Sequence, residues 1–526
     1  MLSRVNLFIE KITLKNSSVF IFFFCITLLF YGNILLGDFI FDDNIFIENN
    51  VQIRSLTNIG EIYRSSTTAG AGLTGDNFYR PNQQLIYAIL YLFFGLSPFF
   101  FHLVPVLLHI LNGFLIFLLF IRLNISRKSS FFGALIFLLH PILTEAVSYI
   151  SGLSEPLVLS TILATLLIFI EVTKPVTSKR FIKLTLWAAL VFFIGIFSKE
   201  SQSISIGLVA ILGILKYKRG ELYSLSRVIY FGIILILLSV FYIYLRLHYL
   251  NFTGALGLTD AFSPYTESLW IRVATFIHVL PEYFKMIVFP RRLKNEKPYI
   301  FVSSLFSIQS FVSILIVISG AVLSLISIFR KNGEIFFGLT WFAVSLVPFS
   351  GVVPLNAIYL EHWLYIPIIG LIFCVSYLFD QYCVFSKPTV TFIFIVLLSL
   401  FGVRVMMRNA EWGDSVKFYE NELKYTQTSA RIYNNLAMEL SDRGECHTAI
   451  VNYEKAVSLN DIYPQTHHNL ARCLEYLGKP DQAFKEYLKA LEIQPSFPYS
   501  LNAINDLVRR YPYLLNSSNR WRFLSP

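Results

Sequence analysis

Val19-Phe20-Ile21-Phe22-Phe23-Phe24-Cys25-Ile26-Thr27-Leu28-Leu29-Phe30-Tyr31-Gly32-Asn33-Ile34-Leu35-Leu36 is an uncharged, mostly apolar run, with Lys11 and Lys15 before it and Asp38 after it. A bilayer core of about 30 Å takes about 20 mostly apolar residues in a helix, so this run reads as a membrane span. The whole chain has the same character. It is 55% hydrophobic and 14% charged, whereas soluble domains hold about 45–50% apolar and about 25% charged residues. No small-residue cleavage site follows the first run, so it is expected to be retained rather than removed as a signal peptide.

Further apolar runs lie near 99–121, 131–150, 155–172, 183–198, 203–216, 228–248, 302–329, 335–353, 361–379 and 389–405, which with 17–36 makes about eleven spans. The segment Tyr87 to Leu96 is a candidate for one more helix. Basic residues mark the cytoplasmic turns: Arg4, Lys11 and Lys15; Arg122, Arg127 and Lys128; Lys174, Lys179, Arg180 and Lys183; Lys216, Lys218 and Arg219; Arg330 and Lys331. The net charge of +10 therefore reports topology and gives no reason to expect nucleic acid. An odd number of spans puts loop 37–98, loop 249–300 and the C-terminal tail on the non-cytoplasmic side. Loop 249–300 departs from the charge rule, because Arg272, Lys285, Arg291, Arg292, Lys294 and Lys297 fall outside. These cations suit either contact with anionic headgroups or a site for a phosphate-bearing lipid. The stretch Leu269 to Pro290 is amphipathic enough to lie in the interface.

Charged residues are nearly absent from the span interiors, where ion-coupled carriers keep them at a cost of roughly 2.5–3.5 kcal/mol each. They gather at one face instead: Asp42, Asp43, Glu48, Arg80, Glu145, Glu155, Lys199, Glu200, Glu361 and His362. That distribution disfavours a transporter and favours a reaction at the outer surface.

The tail is a repeat. Asn435-Leu436-Ala437, Gly444, Ala449, Tyr453 and Ala456 recur as Asn469-Leu470-Ala471, Gly478, Ala483, Tyr487 and Ala490, each displaced by 34 residues, the period of the tetratricopeptide repeat. Repeats are expected near 429–462 and 463–496, with a degenerate half-repeat at 411–427 and a C-terminal capping helix. The expected division is thus a membrane domain over 1–407 and an α-solenoid over 408–526, all-α throughout. Cys25, Cys374 and Cys383 sit in or beside apolar runs, and Cys446 and Cys473 fall in different helices of the tail, so no disulfide framework is expected.

An adjacent carboxylate pair at a membrane surface can take a proton from an acceptor hydroxyl, while Arg or Lys stabilises a departing phosphate. Asp42 and Asp43 fit the first task, and Arg80, Arg291 and Arg292 the second. Asp42 is taken as the base and Asp43 as its orienter or a sugar contact, with the reverse order open. Glu145 can be an active-site group or a helix-end contact, and Lys199-Glu200 a site pair or a mutually satisfied one. His102 and His109 lie seven apart on one helical face, but no third ligand has suitable spacing, so a packed pair is expected rather than a metal site. Asn251-Phe252-Thr253 and Asn516-Ser517-Ser518 match the N-glycosylation acceptor pattern.

Several strings occur in order: Gly37-Asp38-Phe39-Ile40-Phe41-Asp42-Asp43-Asn44, Phe78-Tyr79-Arg80-Pro81, His140-Pro141-Ile142-Leu143-Thr144-Glu145, Lys199-Glu200 and Glu361-His362-Trp363-Leu364-Tyr365-Ile366-Pro367. With the repeats, they resemble the transmembrane and tetratricopeptide-repeat family of protein O-mannosyltransferases and its bacterial relatives, within the GT-C class of membrane glycosyltransferases. The resemblance implies a GT-C-like helix bundle and a polyprenyl-phosphate sugar donor. It also implies inversion at the anomeric carbon and an acidic pair needed for activity, which maps onto Asp42 and Asp43. Lys199, Glu200, Glu361 and His362 become substrate-binding candidates beside Arg80, Glu145, Arg291 and Arg292. Trp363 stands where relatives usually carry a basic residue, so Arg80, Arg291 or Arg292 is expected to supply that phosphate contact. The repeat array is much shorter than in the eukaryotic enzymes, which leaves open whether the acceptor is a protein, a glycolipid or a cell-wall polymer. A non-catalytic membrane anchor presenting its repeats to a partner is the alternative from another class. Expected partners are membrane lipid, the polyprenyl-phosphate sugar and an acceptor protein or glycan engaged by the repeats. No cofactor is named by the residues, and a divalent metal is left open. The expected setting is a bacterial inner membrane with periplasmic repeats, or the endoplasmic reticulum membrane in a eukaryote.

Overall fold

The computed structural model describes residues 9–73, 78–250, 265, 268–295, 301–329, 333–355, 357–382, 385 and 387–517. Arg4, Asn251 to Thr253, Lys297, Arg330, Lys331, Cys383 and Ser518 lie outside the described residues. The fold is all-α, with no strand among the described residues. It divides into two compact units, residues 1–413 and 414–526.

In the first unit α1 (Asn16–Tyr31) continues as a tighter turn to Leu36. The loop after it contains α2 (Pro81–Phe94), which leads into α3 (Pro98–Arg122). Then follow α4 (Arg127–Leu139), α5 (Thr144–Ser148), α6 (Ser154–Val172), α7 (Ser178–Ile196), α8 (Ile204–Lys218) and α9 (Leu225–Tyr244). The amphipathic α10 (Leu269–Val288) precedes α11 (Ile308–Phe329), α12 (Gly333–Leu346), α13 (Ile368–Gln381) and α14 (Pro388–Trp412). By length and composition six helical stretches among the described residues can cross a membrane, or seven if the bent pair α4–α5 is one span. Apolar side chains such as Ile233, Leu237 and Val240 on α9 and Val317, Leu323 and Leu325 on α11 point outward and stay exposed. That is stable only where the solvent is hydrocarbon, since water would oppose such a surface.

Two departures from the expected spans matter for the site. The run 131–150 is not one helix, because Pro141 breaks it. His140, just before the proline, is extended at φ −73°, ψ 121°, as proline imposes on its predecessor, and the flanking pieces bend by 51°. The last helix does not stop at 405 but runs about two turns further to Trp412, with Arg404 at the end of the apolar run and Arg408 and Glu411 beyond it. Those charges continue the helix because each has a partner of opposite sign.

The second unit is the solenoid. After α15 (Ser415–Leu423) come the helix pairs α16 (Ala430–Asp442) with α17 (Cys446–Leu459) and α18 (Pro464–Tyr476) with α19 (Pro480–Ile493). The closing helix is α20 (Pro498–Arg510). Ala437, Ala449, Ala471, Ala483 and Ala490 are fully buried where the helices cross. Gly444 and Gly478 make the turns at φ +81° and +70°, a left-handed backbone that glycine adopts without steric cost.

Candidate active site at the end of the first span

The chain leaves α1 through Gly37, which meets the backbone at the end of α14. A Cβ on Gly37 would lie 2.8 Å from Gly413 Cα, and the Asp38 N–H donates to the Gly413 carbonyl at 3.1 Å. The membrane unit therefore ends beside the start of its first loop. Four residues later Phe41 takes a positive φ of 56°, a conformation that costs a bulky residue of the order of 1–3 kcal/mol and is found where a site holds it. This reversal aims the next two side chains in different directions.

Asp43 turns inward and is fully buried. Its carboxylate accepts from the backbone N–H of Ile40 at 3.2 Å and of Ser151 at 2.9 Å, and from the Ser151 hydroxyl. Burial nevertheless pushes the Asp43 carboxyl up to about 7, against the hydrogen bonds from Ser151 and Ile40 and with a small further push from the Asp42 charge. Asp42 is only half-buried and lies beside the Tyr149 hydroxyl. The Tyr149 ring stacks on Trp412, with centroids 5.1 Å apart and planes at 25°. Ser151 and Tyr149 stand on the broken segment after Pro141, so the proline kink presents them to the acids.

The same segment carries Glu145 into a second group. Glu145 is buried and accepts from the His362 backbone N–H at 3.0 Å and from His362 Nδ1 at 2.9 Å. On the other side of the ring, His362 Nε2 is 3.9 Å from Glu155, which pairs with the buried Lys199. Glu361 is also buried; it accepts from the Lys294 backbone N–H and lies 3.6 Å from Arg408. Arg408 bonds Glu411 at 2.6 Å and sits over the Trp412 ring at 5.4 Å. Trp412 thus joins the two groups, with Tyr149 and Arg408 both against it. Buried charges are tolerated because each has a counter-charge or hydrogen-bond donors.

Arg80 and Glu200 form the margin. Arg246, at the start of the helical turn that follows α9, is 3.5 Å from the half-exposed Glu200. Arg246 and Arg80 together hold that carboxyl below its ordinary value against the opposing effect of burial. Arg80 also acts electrostatically on Tyr87, which in turn senses Asp43. Tyr87 donates to the Ile150 carbonyl at 2.7 Å and accepts from Gln83 at 2.7 Å.

Of the residues expected from sequence, the structure brings Asp42, Asp43, Glu145, Lys199, Glu361 and His362 into this connected set, with Arg80 and Glu200 beside it. Arg291 and Arg292 are exposed, and no side-chain contact to the acids is recorded for either among the described residues. The Arg291 backbone carbonyl accepts from Arg404 at 3.5 Å. Trp363 is packing: it is buried and stacks on Phe349 at 4.9 Å. His109 is likewise internal, bonded to Tyr365 at 2.8 Å and to the Leu138 carbonyl at 3.1 Å. Among the described residues no group of three or more His, Cys, Asp or Glu could hold a metal ion. Sequence reasoning missed Tyr149, Ser151, Arg246, Arg408, Glu411 and Trp412. The available signal was Arg408, Glu411 and Trp412, three and four residues apart and so on one helical face beyond the last apolar run.

Two segments match the tetratricopeptide repeat family model, residues 430–463 and 464–497. The chain is 23% identical over 502 residues to the human protein O-mannosyl-transferase TMTC3, covering 88% of this chain and 54% of that protein. It is 23% identical over 469 residues to human protein O-mannosyl-transferase TMTC4, covering 79% and 63%. It is 33% identical to mouse protein O-mannosyl-transferase TMTC1 over a shorter stretch of 131 residues, 24% of this chain and 14% of that one. The chain therefore spans about half the length of the TMTC3 relative it matches. Among solved structures, that of ArnT from Cupriavidus metallidurans bound to undecaprenyl phosphate aligns at a TM-score of 0.40 and 11% identity, covering 94% of this chain and 88% of that one. Apolar spans, repeats and a similarity that runs through both together make this chain similar to the transmembrane and tetratricopeptide-repeat protein O-mannosyl-transferases.

Proposed function

We propose that this protein transfers a hexose, mannose by analogy with the names of its relatives, from a polyprenyl-phosphate carrier to a hydroxyl on the non-cytoplasmic face. The acceptor hydroxyl belongs to Ser or Thr of a protein in this reading, a glycolipid or cell-wall polymer being the other acceptor class. The acceptor oxygen attacks the anomeric carbon while its proton passes to the Asp42 carboxylate. The bond from that carbon to the phosphate oxygen breaks, polyprenyl phosphate departs with the electron pair, and the centre inverts.

The observation that carries the reading is the division within the acidic pair. Asp43 is fixed by three donors and buried, so it suits positioning; Asp42 is half-buried beside Tyr149 and is the carboxylate a substrate can reach. A general base must lie within hydrogen-bond reach of its proton, and accessibility favours Asp42 over its neighbour. Arg80, whose charge acts on Tyr87 and Glu200, is the substrate-binding candidate with a guanidinium to offer a phosphate, with Lys199, Glu200, Glu361, His362 and Glu145 shaping the surroundings. A lipid-linked donor keeps its tail in the bilayer and its headgroup at the level of the acids. The repeats follow directly from Gly413, beside Gly37, which supports their placement on the same side as the acidic pair.

The test is transfer by the full chain in proteoliposomes, with a polyprenyl-phosphate mannose donor and a Ser/Thr-containing peptide acceptor. Asp42→Asn is expected to lower the rate by about 10²–10⁴-fold, the usual worth of a positioned base, with unchanged membrane insertion. Wild-type-like transfer by that variant would remove Asp42 as the base. Equal biological function of the Asp42→Asn, Asp43→Asn double variant would favour a non-catalytic anchor instead.

A further inference from the structure

Five cysteines scattered over spans and separate tail helices suggest no crosslink, but the solenoid brings two of them together. Cys446 is the first residue of α17, and Cys473 lies in the third turn of α18, the next helix in the chain, which packs against α17. Both thiols are free and buried, 5% and 1% exposed. The two thiols act on one another electrostatically, and Tyr453 of α17 senses both. Cys473 Sγ also lies 3.1 Å from Ser441 Oγ on α16, so α16, α17 and α18 meet at this point. A disulfide needs facing sulfurs and Cα atoms within about 4.4–6.8 Å, a range that helices packed directly against each other, as α17 and α18 are, can bring to two of their side chains.

We infer that Cys446 and Cys473 are an oxidative crosslinking site that joins successive repeats when the tail faces an oxidising compartment. This rests on the outward placement of the repeats argued under the proposed function. The oxidant is a disulfide donor, either a protein disulfide or glutathione disulfide. Cys446, the more exposed of the two, attacks as its thiolate and forms a mixed disulfide, releasing one donor thiol. The Cys473 thiolate then displaces the second donor thiol, leaving the Cys446–Cys473 bond. Two protons and two electrons pass from the protein to the donor, which ends as two thiols. A reducing compartment would keep the pair as thiols, so the state of the bond reports the side on which the repeats lie.

The experiment uses the whole protein, extracted from its native membrane without reductant and with N-ethylmaleimide present, then mapped by peptide mass. The expected result is one crosslinked peptide pair joining Cys446 and Cys473, lighter by two hydrogens than the thiol pair and absent in Cys446→Ser. In parallel, reduced purified protein is exposed to glutathione disulfide in mild denaturant and refolded. Maleimide on both cysteines as isolated, together with no bond in vitro, would overturn the pairing itself. Maleimide on both as isolated but a bond in vitro would uphold the pairing and overturn the outward placement of the repeats.

Discussion

Changing Asp43 to Asn should alter the pH dependence of stability in a definite direction. Burial raises the Asp43 carboxyl to about 7 in the folded protein, while the unfolded chain titrates it near an ordinary value of about 3.9. The folded state therefore holds a proton that the unfolded state has lost between those two values. The stability from that proton is fully present below about pH 3.9, and it is lost as pH rises through about 7. Each unit is worth about 1.4 kcal/mol, so wild type should lose about 3 kcal/mol of stability from this group between pH 5 and pH 8, where the last unit adds nothing. Asn cannot ionise and lacks that slope. It keeps an oxygen for the Ser151 donors but presents an amide to the Ile40 N–H, a pH-independent loss of about 1–3 kcal/mol. Thermal unfolding of both proteins in detergent, followed by tryptophan fluorescence from pH 5 to pH 9, separates the two effects. The difference between variant and wild type should move in favour of the variant by about 3 kcal/mol across that range. An offset that stays constant from pH 5 to pH 8 would refute the buried, proton-holding environment assigned to Asp43.

Two further outcomes are expected. Lys199→Met leaves Glu155 buried beside His362 without its ammonium, which should cost about 3–5 kcal/mol; adding Glu155→Leu should recover most of it, and a thermal double-mutant cycle in which the two losses simply add would deny the pair its coupling. In the solenoid, Gly478→Ala forces an L-residue into φ +70° and should cost about 1–2 kcal/mol, read as faster limited proteolysis between α18 and α19 in the full chain, with a wild-type cleavage rate counting against a left-handed turn there.

The parts legible without the structure were those written in local pattern. Apolar run length gave the membrane helices, and a 34-residue recurrence gave the repeats, because each helix must bury or expose its faces with a fixed period. The acids were visible too, since a charge pair directly after a span is a local feature. The partners of those acids were not. Ser151 and Tyr149 reach Asp43 and Asp42 from more than a hundred residues away, and they do so only because Pro141 turns an apparent span into a kinked segment. Arg291 and Arg292 were attractive as charges, yet both point to solvent, whereas Arg408 was hidden in an apolar helix whose continuation depends on Glu361, Glu411 and Trp412.

By itself, then, the amino-acid sequence determined that this chain is a many-helix membrane protein with a short tetratricopeptide array and an acidic pair shortly after its first apolar run. Periodicity and hydropathy are properties of neighbouring residues, and they survive without any knowledge of the fold. Tertiary structure alone decided which acid is buried and which is accessible, which cations neutralise which carboxylates, and that the helices carrying Cys446 and Cys473 pack together. Those outcomes depend on desolvation and on distances of a few ångströms between segments remote in the chain, and such distances exist only once the helices have packed.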